Sequence, residues 1–169
     1  MDIDLPQIDR IGNKLMQLGF FLTTAESCTG GLIGHMITNL PGSSEFFLGG
    51  HIVYANAAKF RFLGVTPETL TAHGAVSKET VRAMARGVRD SFADDVPVEK
   101  IVGAAVSGIA GPGGGTAEKP VGTVWIGISG SGIAIEKRFQ FEGSRDSVKQ
   151  QAATHALHLV DEALSEIIF

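Results

Sequence analysis

The amino-acid sequence predicts an α/β protein: a three-layer α/β/α sandwich with a mixed, mostly parallel sheet that contains an antiparallel hairpin. Three observations lead there. Apolar runs of strand length alternate with stretches of helical periodicity, and helices placed between strands must cover both faces of a sheet. The run Ile101 to Val106 shows no polar alternation, the mark of a strand covered on both faces. Near the end, Val121 to Ser129 and Ile133 to Phe141 are joined by Gly130-Ser131-Gly132, which reads as a hairpin. At 169 residues, with 44% hydrophobic and 19% charged, the chain suits one domain over 1–169 and is too apolar to be disordered.

Taken in order, Ile8, Ile11, Leu15 and Leu18 share one helical face after Pro6, and Gly19 can stop that helix. Phe20 to Thr24 reads as a short buried strand, followed by a tight turn over 25–31. A second helical pattern then runs through Leu32, Ile33, Met36, Ile37 and Leu40. Pro41-Gly42 breaks it before an apolar strand from Phe46 to Ala55, whose Gly49-Gly50 pair suggests a bulge. Asn56 to Leu63 looks helical, Thr66-Pro67 starts another helix, and Ser77 can cap a third that carries Val81, Met84, Ala85 and Val88. After the 101–106 strand and the hairpin, Val148 to Ile167 traces a long final helix.

Charge and cysteine usage narrow the partners. Fourteen basic against eighteen acidic residues give a net charge of -4, which opposes a chain-wide footprint for nucleic acid or an anionic membrane. The single cysteine, Cys28, excludes an internal disulfide and suits a reducing compartment. The N-terminal segment lacks signal-peptide features and no apolar run approaches the roughly 20 residues of a membrane span, so a cytoplasmic protein is expected. Alanine-rich apolar helices lead us to expect a homo-oligomer.

In open α/β sheets, ligands collect beyond the carboxyl ends of parallel strands. Three strands here end in unusual loops, 27–31, 54–59 and 107–115, which should converge. Ser27 is a candidate nucleophile just ahead of Thr29-Gly30-Gly31, whose backbone N–H groups could stabilise an oxyanion or a phosphate; the alternative is that Ser27 or Thr29 merely caps a helix. Lys59 would serve as a base if buried, since desolvation lowers a lysine pKa at about 1.4 kcal/mol per unit; the alternative is a lysine facing solvent. The loop 107–115 lacks both the P-loop ending and the Rossmann spacing, yet its glycines permit close backbone approach. Arg145 could fork a phosphate, or pair with Asp146. Cys28 is the rival nucleophile. His155, His158, Asp161 and Glu162 have metal-ligand spacing on a helix but read better as an exposed polar face.

Six separated motifs occur in order: Ala25-Glu26-Ser27-Cys28-Thr29-Gly30-Gly31, Pro41-Gly42-Ser43-Ser44, Tyr54-Ala55-Asn56-Ala57-Ala58-Lys59, His73-Gly74-Ala75-Val76-Ser77, Ser107-Gly108-Ile109-Ala110-Gly111-Pro112-Gly113-Gly114, and Lys119-Pro120-Val121-Gly122-Thr123-Val124. Together they resemble the CinA C-terminal domain family along nearly the whole chain, as a stand-alone version without the molybdopterin-binding-like domain found in longer members. The resemblance implies hydrolysis of nicotinamide mononucleotide to nicotinic acid mononucleotide and ammonia, in pyridine nucleotide salvage. It also implies Ser27, Lys59 and Tyr54 as catalytic residues. Thr29, Gly30, Gly31, Asn56, Ser107, Gly108, Gly111, Gly113, Gly114 and Arg145 are then expected to contact a small nucleotide substrate, with no metal or organic cofactor. Two other readings are a non-catalytic nucleotide-binding regulatory module and a DNA-processing partner; the acidic balance opposes the second.

Overall fold

In the computed structural model, which describes residues 3–167, the expected alternation takes concrete form. Its helices are α1 (Leu5–Leu18), α2 (Leu32–Thr38), α3 (Asn56–Leu63), α4 (Pro67–His73), α5 (Lys78–Asp90) and α6 (Arg145–Ile167). Its strands are β1 (Phe21–Glu26), β2 (Phe47–Ile52), β3 (Ile101–Gly108), β4 (Thr123–Gly130) and β5 (Ile133–Gln140). Helix boundaries follow the expected chemistry. The Asp4 side chain accepts from the Gln7 amide at the start of α1, Gly19 closes it at φ 67°, and Thr66 and Ser77 cap α4 and α5.

The strands lie in the order β2-β1-β3-β4-β5. β1 is parallel to both β2 and β3, whereas β4 runs antiparallel to β3 and β5 antiparallel to β4. Four of the five strands therefore point the same way, and the hairpin supplies the one reversed strand. The β1–β2 register steps past Leu48, from Leu22↔Phe47 to Thr23↔Gly49. That is the bulge expected at Gly49, whose φ of 129° suits glycine. Strand limits shift by one to three residues from expectation; at the carboxyl edge β1 continues to Glu26 and β2 stops at Ile52, with Ser27 and Val53 just beyond.

The two faces of the sheet differ in bulk. Leu22, Val102, Ala104, Val106, Val124, Ile126 and Ile128 turn toward α1, α2 and α6 and build the larger core with Leu157, Val160 and Leu164. The opposite face carries Ala25, Gly103, Ala105 and Gly127, and against it Met84, Ala85 and Val88 of α5 form the smaller core. Small residues let α5 sit almost directly on the backbone: a Cβ at Gly103 would lie 2.3 Å from the Ala85 carbonyl oxygen. We therefore predict that Gly103→Ala destabilises the fold by about 1–3 kcal/mol, since helix backbone cannot move aside as a side chain can. Urea denaturation reads this as a lower midpoint at unchanged slope.

Candidate active site

Ser27 follows β1 directly, and its amide donates to the Val106 carbonyl at 3.0 Å, carrying the β1–β3 ladder one residue past the strand. The chain then turns sharply, with Gly30 at φ 64° and Gly31 at φ 97°, conformations that L side chains rarely adopt. What fixes this turn is Glu26. Its buried carboxylate accepts from the amides of Gly31 (3.0 Å), Ile33 (3.1 Å) and Gly34 (2.9 Å). It thereby caps α2, whose N-cap residue Gly31 has no side chain to do so.

Lys59 comes from the first turn of α3, which begins just after β2. Its side chain is 1% exposed, and its Nζ lies 3.1 Å from the Ser27 Oγ, 3.0 Å from the Val53 carbonyl oxygen and 3.1 Å from that of Tyr54. An uncharged amine has two N–H groups and one lone pair. As an ammonium Lys59 donates to all three oxygens; in the uncharged form the two carbonyls would engage the N–H groups and the lone pair would face the Ser27 hydroxyl. Desolvation by burial pushes the Lys59 pKa below the ordinary lysine value. The only opposing influence is the Cys28 thiol, which carries no charge at neutral pH because burial pushes its pKa up to about 12.

Beside this pair, Arg145 at the start of α6 bridges two loops. Its Nη1 donates to the Gly111 carbonyl at 2.6 Å and its Nη2 to the Tyr54 hydroxyl at 2.9 Å. The loops 27–31, 54–59 and 107–115 thus meet, joined through Ser27–Lys59 and Tyr54–Arg145–Gly111. Lys149, one helical turn beyond Arg145, is half-buried, and its Nζ lies 3.9 Å from where a Cβ on Gly30 would stand.

A family model described as the CinA C-terminal domain matches residues 6–164. The chain belongs to this family. Among curated CinA relatives, the nicotinamide-nucleotide amidohydrolase PncC of Enterobacter agglomerans is 48% identical over 159 residues, covering 94% of this chain and 92% of that protein. A Moorella thermoacetica relative, named for competence and damage induction, is 51% identical over 143 residues, 85% of this chain but 33% of its own length. The chain thus spans about a third of that longer relative. Among solved structures, a CinA superfamily protein of Klebsiella pneumoniae superposes with a TM-score of 0.87 at 33% identity, covering 96% of this chain and 98% of its own.

Several expectations for this CinA domain change on contact with the structure. Gly30 and Gly31 cannot offer their amides to an oxyanion, because the Gly30 amide donates to the Ser27 carbonyl at 3.2 Å and that of Gly31 to Glu26. Among the described residues, the amides of this turn with no hydrogen-bond partner are those of Cys28 and Thr29. Cys28 is packed in the larger core with a protonated thiol, which argues against it as the nucleophile. Ser107 is buried and donates to the Ala75 carbonyl at 2.7 Å, so its hydroxyl ties the 73–77 segment to β3. Gly108 is half-buried beside it, Gly113 and Gly114 are exposed, and Asn56 stands exposed at the start of α3. The face with His155 and His158 is not simply exposed and polar. His155 is half-buried against Phe139 and Phe141, His158 bonds Gln7, Asp161 pairs with Lys14 and Arg10, and Glu162 with Lys137.

Glu26 and Lys149 received no role from the sequence. Glu26 had a signal, an acid five residues ahead of a helix that starts on glycine; Lys149 had only its four-residue spacing from Arg145. Thr29 Oγ1 is, among the described residues, the buried side-chain polar atom that lacks a partner. Such orphans require an explanation. Because three amides converge on the Glu26 carboxylate, we predict that Glu26→Ala costs about 2–4 kcal/mol in stability. Urea denaturation measures this, and Glu26→Gln, which keeps one acceptor oxygen, is expected to fall between the two.

Proposed function

We propose that this protein hydrolyses the carboxamide of nicotinamide mononucleotide, releasing ammonia and nicotinic acid mononucleotide within pyridine nucleotide salvage. The observation that carries the reading is the buried Lys59 Nζ, held by two carbonyls and aimed at the Ser27 Oγ 3.1 Å away. Such an arrangement suits a neutral amine that takes a proton from a hydroxyl, and it has little use in a protein that only binds. The PncC relative, alike over nearly the whole of both chains, supports the choice of substrate.

In the proposed mechanism the Ser27 Oγ attacks the amide carbon while its proton passes to the Lys59 lone pair. The carbonyl oxygen takes the negative charge, facing the free amides of Cys28 and Thr29. Lys59 then returns the proton to the departing nitrogen, the C–N bond breaks, and ammonia leaves an ester on Ser27. Water, deprotonated by Lys59, hydrolyses that ester to the acid and restores both side chains. The unpartnered Thr29 hydroxyl has a role as a further donor at this turn. The 5′-phosphate fits Lys149 together with the Arg145 donors that Gly111 and Tyr54 leave free; Tyr54, with Asn56 beside it, walls the base. The mechanism needs no metal or organic cofactor.

Ammonia release from nicotinamide mononucleotide tests this reading. Wild type is expected to turn over, and Ser27→Ala and Lys59→Met to lose at least about 10³-fold in kcat. Cys28→Ala is expected to remain active. Binding without ammonia in wild type would instead favour a nucleotide-binding module. The rate is expected to fall as the pH drops through the lowered Lys59 value, because protonation removes the lone pair that accepts the Ser27 proton. Lys149→Ala is predicted to raise KM for the mononucleotide by about 10- to 100-fold with little effect on kcat. Turnover of the unphosphorylated riboside, measured in parallel, is expected not to change.

A further inference from the structure

A second cavity opens on the α5 face of the sheet, at the end where that helix has not yet begun. On β4 this face carries Gly127 and Ser129, small residues over which α5 packs, and then Trp125, the one tryptophan of the chain. Val81 of α5 lies over Gly127, and α5 starts at Lys78, so Trp125 is left half-buried at the floor of a cavity of about 540 Å³. A volume of this size suits a small organic ligand.

Around the indole stand cations that are fixed in place but not neutralised. Arg138 lies directly across the β4–β5 ladder from Trp125, and its Nη2 donates to the Glu118 backbone carbonyl at 3.0 Å. The Lys119 Nζ donates to the His73 carbonyl at 2.8 Å. Both partners are uncharged carbonyls, and among the described residues neither cation has a carboxylate within 4.0 Å. Glu79, on the first turn of α5, also lines the cavity, with its carboxylate 3.6 Å from the His73 ring. Glu118, whose carboxylate pairs with no cation among the described residues, and Lys78 also line the cavity.

A flat half-covered aromatic surface, two oriented positive charges and one free carboxylate match the three parts of a nucleotide. We propose that this cavity binds a nucleoside diphosphate: the base stacks on Trp125, the two phosphates meet Arg138 and Lys119, and Glu118 accepts from the ribose hydroxyls. Neither Ser27 nor Lys59 lines this cavity, whose 73–77 wall the Ser107 hydroxyl ties to β3 through the Ala75 carbonyl. It does not depend on the amidase reading.

The single tryptophan makes its own reporter. Titration of the full chain with ADP is expected to quench its fluorescence saturably, with adenosine and inorganic pyrophosphate each binding at least about tenfold more weakly. Arg138→Ala and Lys119→Ala, both at exposed or half-buried sites, are expected to raise the ADP dissociation constant about tenfold each while leaving ammonia release intact. Saturating nicotinamide mononucleotide, added to Ser27→Ala, is expected not to displace ADP. Absence of saturable quenching, indifference to both variants, or displacement by the mononucleotide would each overturn the proposal.

Discussion

The arrangement of the whole edge of the sheet rests on taking one amine out of water. A lysine that is 1% exposed has given up hydration that favours its charged form, and what it receives in exchange is two backbone carbonyls. Those carbonyls belong to Val53 and Tyr54, the two residues between the end of β2 and the start of α3. The position of Lys59 is therefore set by the backbone path of the strand-to-helix crossing. On the other side, Ser27 is held by the β1–β3 ladder and by a turn that Glu26 closes from within. Neither partner depends on a flexible surface contact.

The unequal faces of the sheet make this geometry possible. Glycine and alanine on one side bring α5 close, which leaves α3 and its lysine a compact second core to pack against. Larger aliphatics on the other side support α6, whose first two turns carry Arg145 and Lys149 over the same edge. One sheet edge thus receives Lys59 from one layer and Arg145 and Lys149 from the other.

Much of this was readable from the residues. The unpunctuated run 101–106, the glycine stops and the Ser77 and Thr66 caps gave the layers and most element limits, because each reports a local constraint. The approach of Ser27 and Lys59 could be expected from the rule that loops converge beyond parallel strands, although 31 residues separate them. The expectation that Gly30 and Gly31 offer their amides to an oxyanion met hydrogen bonds that close within the turn itself. Sequence reveals that a helix start has spare amides; it does not reveal that the turn closes Gly30 onto the Ser27 carbonyl or that the carboxylate at the end of the preceding strand folds back onto Gly31. His155 misled in the same way, since its packing on Phe139 and Phe141 depends on where β5 ends relative to α6.

Tyr54 joins two devices that are usually built from separate residues. Its carbonyl holds the amine of Lys59, and its hydroxyl holds the guanidinium of Arg145. Main chain and ring tip of a single amino acid therefore tie Lys59 to Arg145. Neither can be relocated without tugging on the other, so a shift of this one residue would move both side chains together.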